Sequence, residues 1–192
     1  MIKTNLPVYL ASKSPRRKHL LELLNLKFET FSVDLNEEIL DGEHPVKTVK
    51  RLSGQKLEAA RKRVSEGIII TADTIVVLEE QIIGKPKDEA DAERILKFLS
   101  GKTHAVYTGF AVCNTEKNIT LIEYEKTLVT FRRLEKEEIL DYIKSGSPMD
   151  KAGAYGIQDD FGAVFVRRID GCYYNVVGLP LTRLYDTLKR VI

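Results

Sequence analysis

Cysteine is scarce. Two occur in 192 residues, Cys113 and Cys172, far apart and without CxxC spacing. A zinc site or a disulfide framework is therefore not expected, and a reducing compartment is. Long apolar runs are missing as well, since none approaches the roughly 20 residues of a membrane-spanning helix. Residues 1–8 lack the charged leader, apolar stretch and cleavage site of a signal peptide. The expected setting is the cytoplasm, with no membrane partner. Neither sign of charge dominates: 30 Lys and Arg against 28 Asp and Glu leave a net charge of +2. That balance is too even for a chain whose main partner is DNA or RNA, and no aromatic stacking motif accompanies the basic residues. It suits a small anionic ligand held by a few local cations. GxGxxG and P-loop signatures are absent, which sets aside Rossmann, kinase and GTPase readings. His19, His44 and His104 show no metal-ligand spacing and read as surface or core residues.

What is present is ordinary for a globular chain: 43% hydrophobic and 30% charged residues, enough to bury a core without staples. The expectation is one domain over residues 1–192, with any second lobe inserted near residues 88–150. Strands are expected over 7–11, 27–33, 68–72, 75–78, 81–83, 103–115, 119–131, 161–169 and 173–177. Helices are expected over 15–25, 45–66, 88–99, 134–144 and 181–191, with Asp88 as an N-cap, and residues 148–158 read as a glycine-containing loop. Alternating βαβ units and antiparallel hairpins predict an α/β or α+β fold around a mixed sheet.

Several segments can carry chemistry. In Ala11-Ser12-Lys13-Ser14-Pro15-Arg16-Arg17, Ser14 caps a helix that starts at Pro15. A helix N-terminus binds anions readily. Arg16 and Arg17 in that first turn oppose the helix dipole, a conflict that an anionic ligand would reverse. The plain alternative is an exposed basic turn. Asp73 follows the apolar run Ile68-Ile69-Ile70-Thr71-Ala72 at its carboxyl end, where open α/β sheets place ligands. A divalent cation or a water to deprotonate would explain a carboxylate there; a turn aspartate bonding its own backbone would too. Lys85, in Gly84-Lys85-Pro86, is either a point cation for phosphate or a solvated turn residue. Lys56 falls on one helical stripe with Val49, Leu52 and Ala60, so it needs a partner or must snorkel. Arg61, Lys62 and Arg63 read as a solvated face. In Met149-Asp150-Lys151-Ala152-Gly153-Ala154-Tyr155-Gly156-Ile157-Gln158, small residues permit close backbone approach to a ligand. The Gln158 amide matches the O4 and N3–H edge of thymine or uracil, and could match adenine.

Taken in order, Ser12-Lys13-Ser14-Pro15-Arg16-Arg17, Ala72-Asp73-Thr74, Gly84-Lys85-Pro86 and Lys151 to Gln158 resemble the Maf family over nearly the whole chain. The resemblance implies a mixed α/β architecture of the kind found in inosine triphosphate pyrophosphatases, with a cleft between two lobes. It implies hydrolysis of the α–β phosphoanhydride of a nucleoside triphosphate with a divalent metal, Mg²⁺ or Mn²⁺. Asp73 matches the catalytic proton acceptor, and phosphate chemistry makes it the expected metal ligand as well. Ser12, Arg16, Arg17, Lys56 and Lys85 match the phosphate site. Arg16, Thr74 and Gln158 match the positions of substrate choice, and their identities resemble the dTTP/UTP branch rather than the 7-methyl-GTP branch. The family's glutamate after the second strand aligns with Asn36, which leaves Glu37 or Asp34 to supply that carboxylate to the metal. A homodimer is the implied assembly. The competing expectation is a regulatory nucleotide- or protein-binding module tied to septum formation, which would have no need of Asp73.

Overall fold

A computed structural model of the chain describes residues 2–35, 37–158 and 161–192. The strands are β1 (Val8–Ala11), β2 (Glu29–Phe31), β3 (Ile68–Leu78), β4 (Gln81–Ile83), β5 (Thr103–Asn114), β6 (Ile119–Phe131) and β7 (Val166–Asp170). The helices are α1 (Pro15–Glu22), α2 (Pro45–Arg61), α3 (Glu89–Leu99), α4 (Lys136–Lys144), α5 (Tyr173–Val177) and α6 (Leu181–Val191). The strands form one sheet in the order β2-β1-β3-β5-β6-β7, with β4 paired to β3. β1 is parallel to β2 and β3, whereas β4 is antiparallel to β3 and β7 to β6. The sheet is therefore mixed, as the alternation of βαβ units and hairpins predicts. Two compact units emerge, one of Met1–Asp73, Thr108–Glu125 and Gly178–Ile192, the other of Thr74–Tyr107 and Lys126–Val177.

In the first unit, the Ser14 hydroxyl accepts the Arg17 N–H at 3.4 Å and Pro15 opens α1, the N-terminal chemistry read from the sequence. α1 stops at Glu22, short of the expected Asn25. Its end tightens into three-residue bonds from Leu23 and Leu24, and Asn25 takes a positive φ of 52°. α2 also ends early, at Arg61 instead of residue 66. Gly67, beyond the helix end, is needed because a Cβ there would lie 2.5 Å from the Pro7 carbonyl oxygen. Gly54 lies inside α2, which runs through it unbroken. A small core joins Ala11, Leu57, Ala60, Ile69, Ala111 and Cys113. α2 lies very close to β5, since a Cβ on Gly109 would fall 2.3 Å from the Val49 carbonyl oxygen.

In the second unit, Asp88 caps α3 by accepting the Asp91 N–H at 2.8 Å. The β3–β4 hairpin turns on Glu79 and Glu80, both with positive φ. Two sequence expectations fail here. Residues 161–169 are not one strand: Phe161–Phe165 is a 3₁₀ turn and only Val166–Asp170 is extended. Phe165 is fully buried against Phe131 and Tyr142, and burying it there overrides the local β propensity. Residues 173–177 form α5, not a strand. Tyr173 and Tyr174 are both exposed while Asn175 and Val177 are buried, a pattern without period two. Asn175 donates to the Val106 carbonyl and the Thr127 hydroxyl, fixing the helical turn.

Candidate active site

Asp73 sits inside β3, not beyond it. The expected strand ending at residue 72 continues through Leu78. Along a strand, residues two apart share a face, and along a helix, residues three apart do. Both periods are used. Thr71 and Asp73 on β3 face Ser53 and Lys56 on α2, and each makes one rung. The Thr71 hydroxyl donates to the Ser53 carbonyl at 2.7 Å. The Lys56 ammonium donates to Asp73 Oδ1 at 2.5 Å. Val49, Leu52 and Ala60 are buried on the same helix, so the lysine inside the apolar stripe finds its partner on the strand.

A second carboxylate reaches the same ammonium. Glu37 Oε1 lies 2.7 Å from Lys56 Nζ. The Asp73 and Lys56 side chains are 7% and 10% exposed, against 43% for Glu37. A buried carboxylate is costly unless paired, and here one ammonium serves a buried and a half-exposed partner. Asp34, the other candidate carboxylate, is at the surface and accepts from Lys13 at 2.7 Å. Asn36 lies outside the described residues.

Arg17 completes the cluster. Its Nε donates to the Gly178 carbonyl and its Nη1 to the Ala72 carbonyl, both at 2.8 Å. Burial weakens the guanidinium's hold on its proton, while the charges of Asp73 and Glu37 strengthen it and that of Arg16 weakens it. An arginine stays charged under such conditions. Arg16 is half-buried beside it on α1, and Ser12 accepts the Ser14 N–H at 3.2 Å. The first unit thus brings Arg17, Glu37, Lys56 and Asp73 together, and Ser12 and Arg16 belong to the same unit.

Thr74, Lys85 and Gln158 belong to the second unit. Thr74 is half-buried on β3, Lys85 is exposed, and Gln158 is half-buried. The glycine-rich segment is no loose loop. Gly153 N–H donates to the Gly84 carbonyl at 3.0 Å, tying it to the turn that carries Lys85. Gly153 has φ 73°, and a Cβ there would meet Val76 at 2.8 Å. Gly156 N–H donates to the Tyr142 hydroxyl at 3.2 Å, and the Tyr155 hydroxyl shares a 2.8 Å hydrogen bond with His104 Nε2. Lys151 donates to the Ser147 carbonyl and to Asp150.

A profile for the family described as "Maf-like protein" matches residues 7–191. The chain belongs to that family. Among relatives, the dTTP/UTP pyrophosphatase of Syntrophomonas wolfei is 48% identical over 181 residues, covering 94% of this chain and 95% of that one. The dTTP/UTP pyrophosphatase of Aquifex aeolicus is 47% identical over 184 residues, covering 96% and 95%. That of Bacillus cytotoxicus is 50% identical over 181 residues, covering 94% and 93%. Among solved structures, the Staphylococcus aureus Ham1 protein aligns with a TM-score of 0.48 at 14% identity, over 65% of this chain and 71% of that one.

Two features of this Maf chain escape a reading of the sequence. The Gly178 carbonyl that anchors Arg17 lies 161 residues away in the chain, with no local pattern to announce it. The His104–Tyr155 pair joins residues 51 apart. His104 packs edge-on against Phe131 and Tyr155, and among the described residues its buried Nδ1 has no hydrogen-bond partner. Burial pushes its pKa down from 6.5 to about 4. In the unfolded chain it titrates near 6.5, so below that pH the unfolded state takes up a proton that the folded state refuses. The stability it contributes is full above pH 6.5 and is lost as the pH falls toward 4, by at most about 1.4 kcal/mol per pH unit. Urea unfolding of the wild type at pH 7.0 and 5.0 should show this loss, and His104→Gln, which keeps a partner for Tyr155, should reduce it by about one proton's worth. An unchanged pH dependence in the variant would assign the acid sensitivity to other groups.

Proposed function

We propose that this chain is a nucleoside triphosphate pyrophosphatase acting on dTTP and UTP. The bond broken joins the α-phosphorus to the oxygen bridging to the β-phosphate. Water adds to the α-phosphorus, and nucleoside monophosphate and pyrophosphate leave. The observation that carries the reading is a buried carboxylate, Asp73, held by Lys56 beside Arg17, in a chain whose relatives bear that activity in their names. Asp73 orients the attacking water and takes its proton. Arg16, Arg17, Lys56 and Lys85 spread the triphosphate charge, and the guanidinium of Arg16 can hold phosphate oxygens bidentately. Ser12 adds a hydroxyl to the phosphate site. Arg16, Thr74 and Gln158 select the pyrimidine nucleotide, with the Gln158 amide as donor and acceptor for the base edge.

The donor set is compatible with a divalent cation, Mg²⁺ or Mn²⁺. Oxygens of Asp73 and Glu37 both lie within 2.7 Å of one ammonium nitrogen, so they converge on a single cationic point. Among the described residues no group of three or more His, Cys, Asp or Glu side chains surrounds such a point. Two carboxylates completed by phosphate oxygens and water are the ordinary manner of binding Mg²⁺. Asp73 and Glu37 would hold the cation, which supplies charge neutralisation at the phosphate oxygens when bound.

The test is direct. Purified protein is incubated with each nucleoside triphosphate plus Mg²⁺ or Mn²⁺, and monophosphate and pyrophosphate are quantified. Release from dTTP and UTP but not from purine triphosphates is the expected result. Turnover of other bases keeps the reaction and discards the role of Gln158. Absence of turnover with every nucleotide and metal rejects the enzyme reading.

A further inference from the structure

Among the described residues, Arg17 and Lys56 both carry charge beside Asp73, and they are held differently. Arg17 is fixed by two backbone carbonyls, those of Gly178 and Ala72. Lys56 has no such anchor: among the described residues its ammonium is partnered by Asp73 Oδ1 at 2.5 Å and Glu37 Oε1 at 2.7 Å. Its stem is fixed, because α2 is locked to β3 through Thr71 and Ser53 and lies against Gly109 of β5. The head is not, because an ammonium on a four-carbon stem is a mobile point charge. The charges of Arg17 and Lys56 already offset those of Asp73 and Glu37 without any metal.

We infer that Lys56 competes with the divalent cation for the Asp73–Glu37 carboxylate pair, acting as a built-in counter-ion of the metal-free site. The inference rests on the reading that these two carboxylates hold the metal. Lys56 and a divalent cation repel one another at hydrogen-bond and coordination distances, so both cannot keep the same oxygens. Of these two, Lys56 yields because no backbone carbonyl among the described residues holds its ammonium, and its charge is then available to a phosphate. Metal-free protein thereby avoids an uncompensated buried Asp73, which would otherwise be strongly destabilising. In exchange, Lys56 weakens the intrinsic metal affinity of the pair until an anionic substrate engages the ammonium.

The experiment titrates Mg²⁺ alone into the full chain by calorimetry, without nucleotide, for the wild type and for Lys56→Met. The expected result is at least ten-fold tighter Mg²⁺ binding by Lys56→Met, with a larger rise in its melting temperature on adding Mg²⁺. Equal or weaker affinity in Lys56→Met, with the wild type binding, overturns the competition and leaves the metal reading standing. No binding by either protein overturns both. Asp73→Asn added to Lys56→Met should remove the gain; retention of the gain locates the ion elsewhere and rejects the inference. Should Lys56→Met not fold, the wild type still decides. The labelling rate of the Lys56 amine by a small acylating reagent, read by peptide mass spectrometry, should rise several-fold at saturating Mg²⁺. An unchanged rate means that Lys56 keeps its carboxylates and the inference fails.

Discussion

Asp73→Asn is expected to lower kcat on dTTP by on the order of 10²–10⁴-fold, the range for loss of a positioned general base, while the chain remains folded. Asparagine has nearly the same shape and still offers an oxygen to Lys56, but it can neither take a proton from water nor supply full charge to a cation. The Lys56–Asp73 pair is buried, with the two side chains 10% and 7% exposed, so some stability goes with it. Glu37 remains as a partner for the ammonium at 2.7 Å. The cost should therefore fall below the full value for orphaning a buried charge, at about 1–3 kcal/mol. Steady-state kinetics and urea unfolding of the same preparation separate the two effects. Wild-type turnover by the folded variant would remove Asp73 from the reaction.

Gly109→Ala should be strongly damaging. The added carbon would lie 2.3 Å from the Val49 carbonyl oxygen and 2.5 Å from its carbonyl carbon, and neither is the tip of a flexible side chain. Helix α2 would have to move off β5. Overpacking of this kind costs roughly 3 kcal/mol or more, which at this chain length lowers the melting temperature by about 6–12 °C. Because Lys56 rides on α2, activity at a temperature where the variant is still folded should also fall, through displacement of the ammonium that serves the triphosphate. Gly101→Ala is the control, since nothing lies within 4 Å of its added carbon, although its positive φ adds a smaller backbone strain. Equal stability of Gly109→Ala and wild type would mean that α2 is not seated against β5 as described.

Much of this protein is legible locally. The Ser14–Pro15 start of α1, the Asp88 cap of α3 and the long strands β5 and β6 follow from capping chemistry and short-range periodicity, because these signals lie within a few residues of the elements they set. The apolar stripe of α2 marked Lys56 as a lysine in need of a partner, and the composition excluded a disulfide framework and a dominant basic surface. Where local pattern and tertiary burial conflicted, burial won. Phe165 was drawn into an aromatic cluster, so residues 161–165 became a 3₁₀ turn. Residues 173–177 became helical around the hydrogen bonds of Asn175.

The sequence by itself determined which residues can carry charge, and that strands and helices alternate around a mixed sheet, since each depends on residue type or on spacing along the chain. Only the tertiary structure decided the pairings. It chose Glu37 over Asp34 as the second carboxylate on Lys56, set Asp73 within β3 on the face that Thr71 turns toward α2, and spent two Arg17 donors on the carbonyls of Ala72 and Gly178. Those choices follow from helix-to-strand register and from the need to satisfy buried polar groups. They depend on residues up to 161 positions apart, a separation over which short-range sequence pattern carries no record of contact.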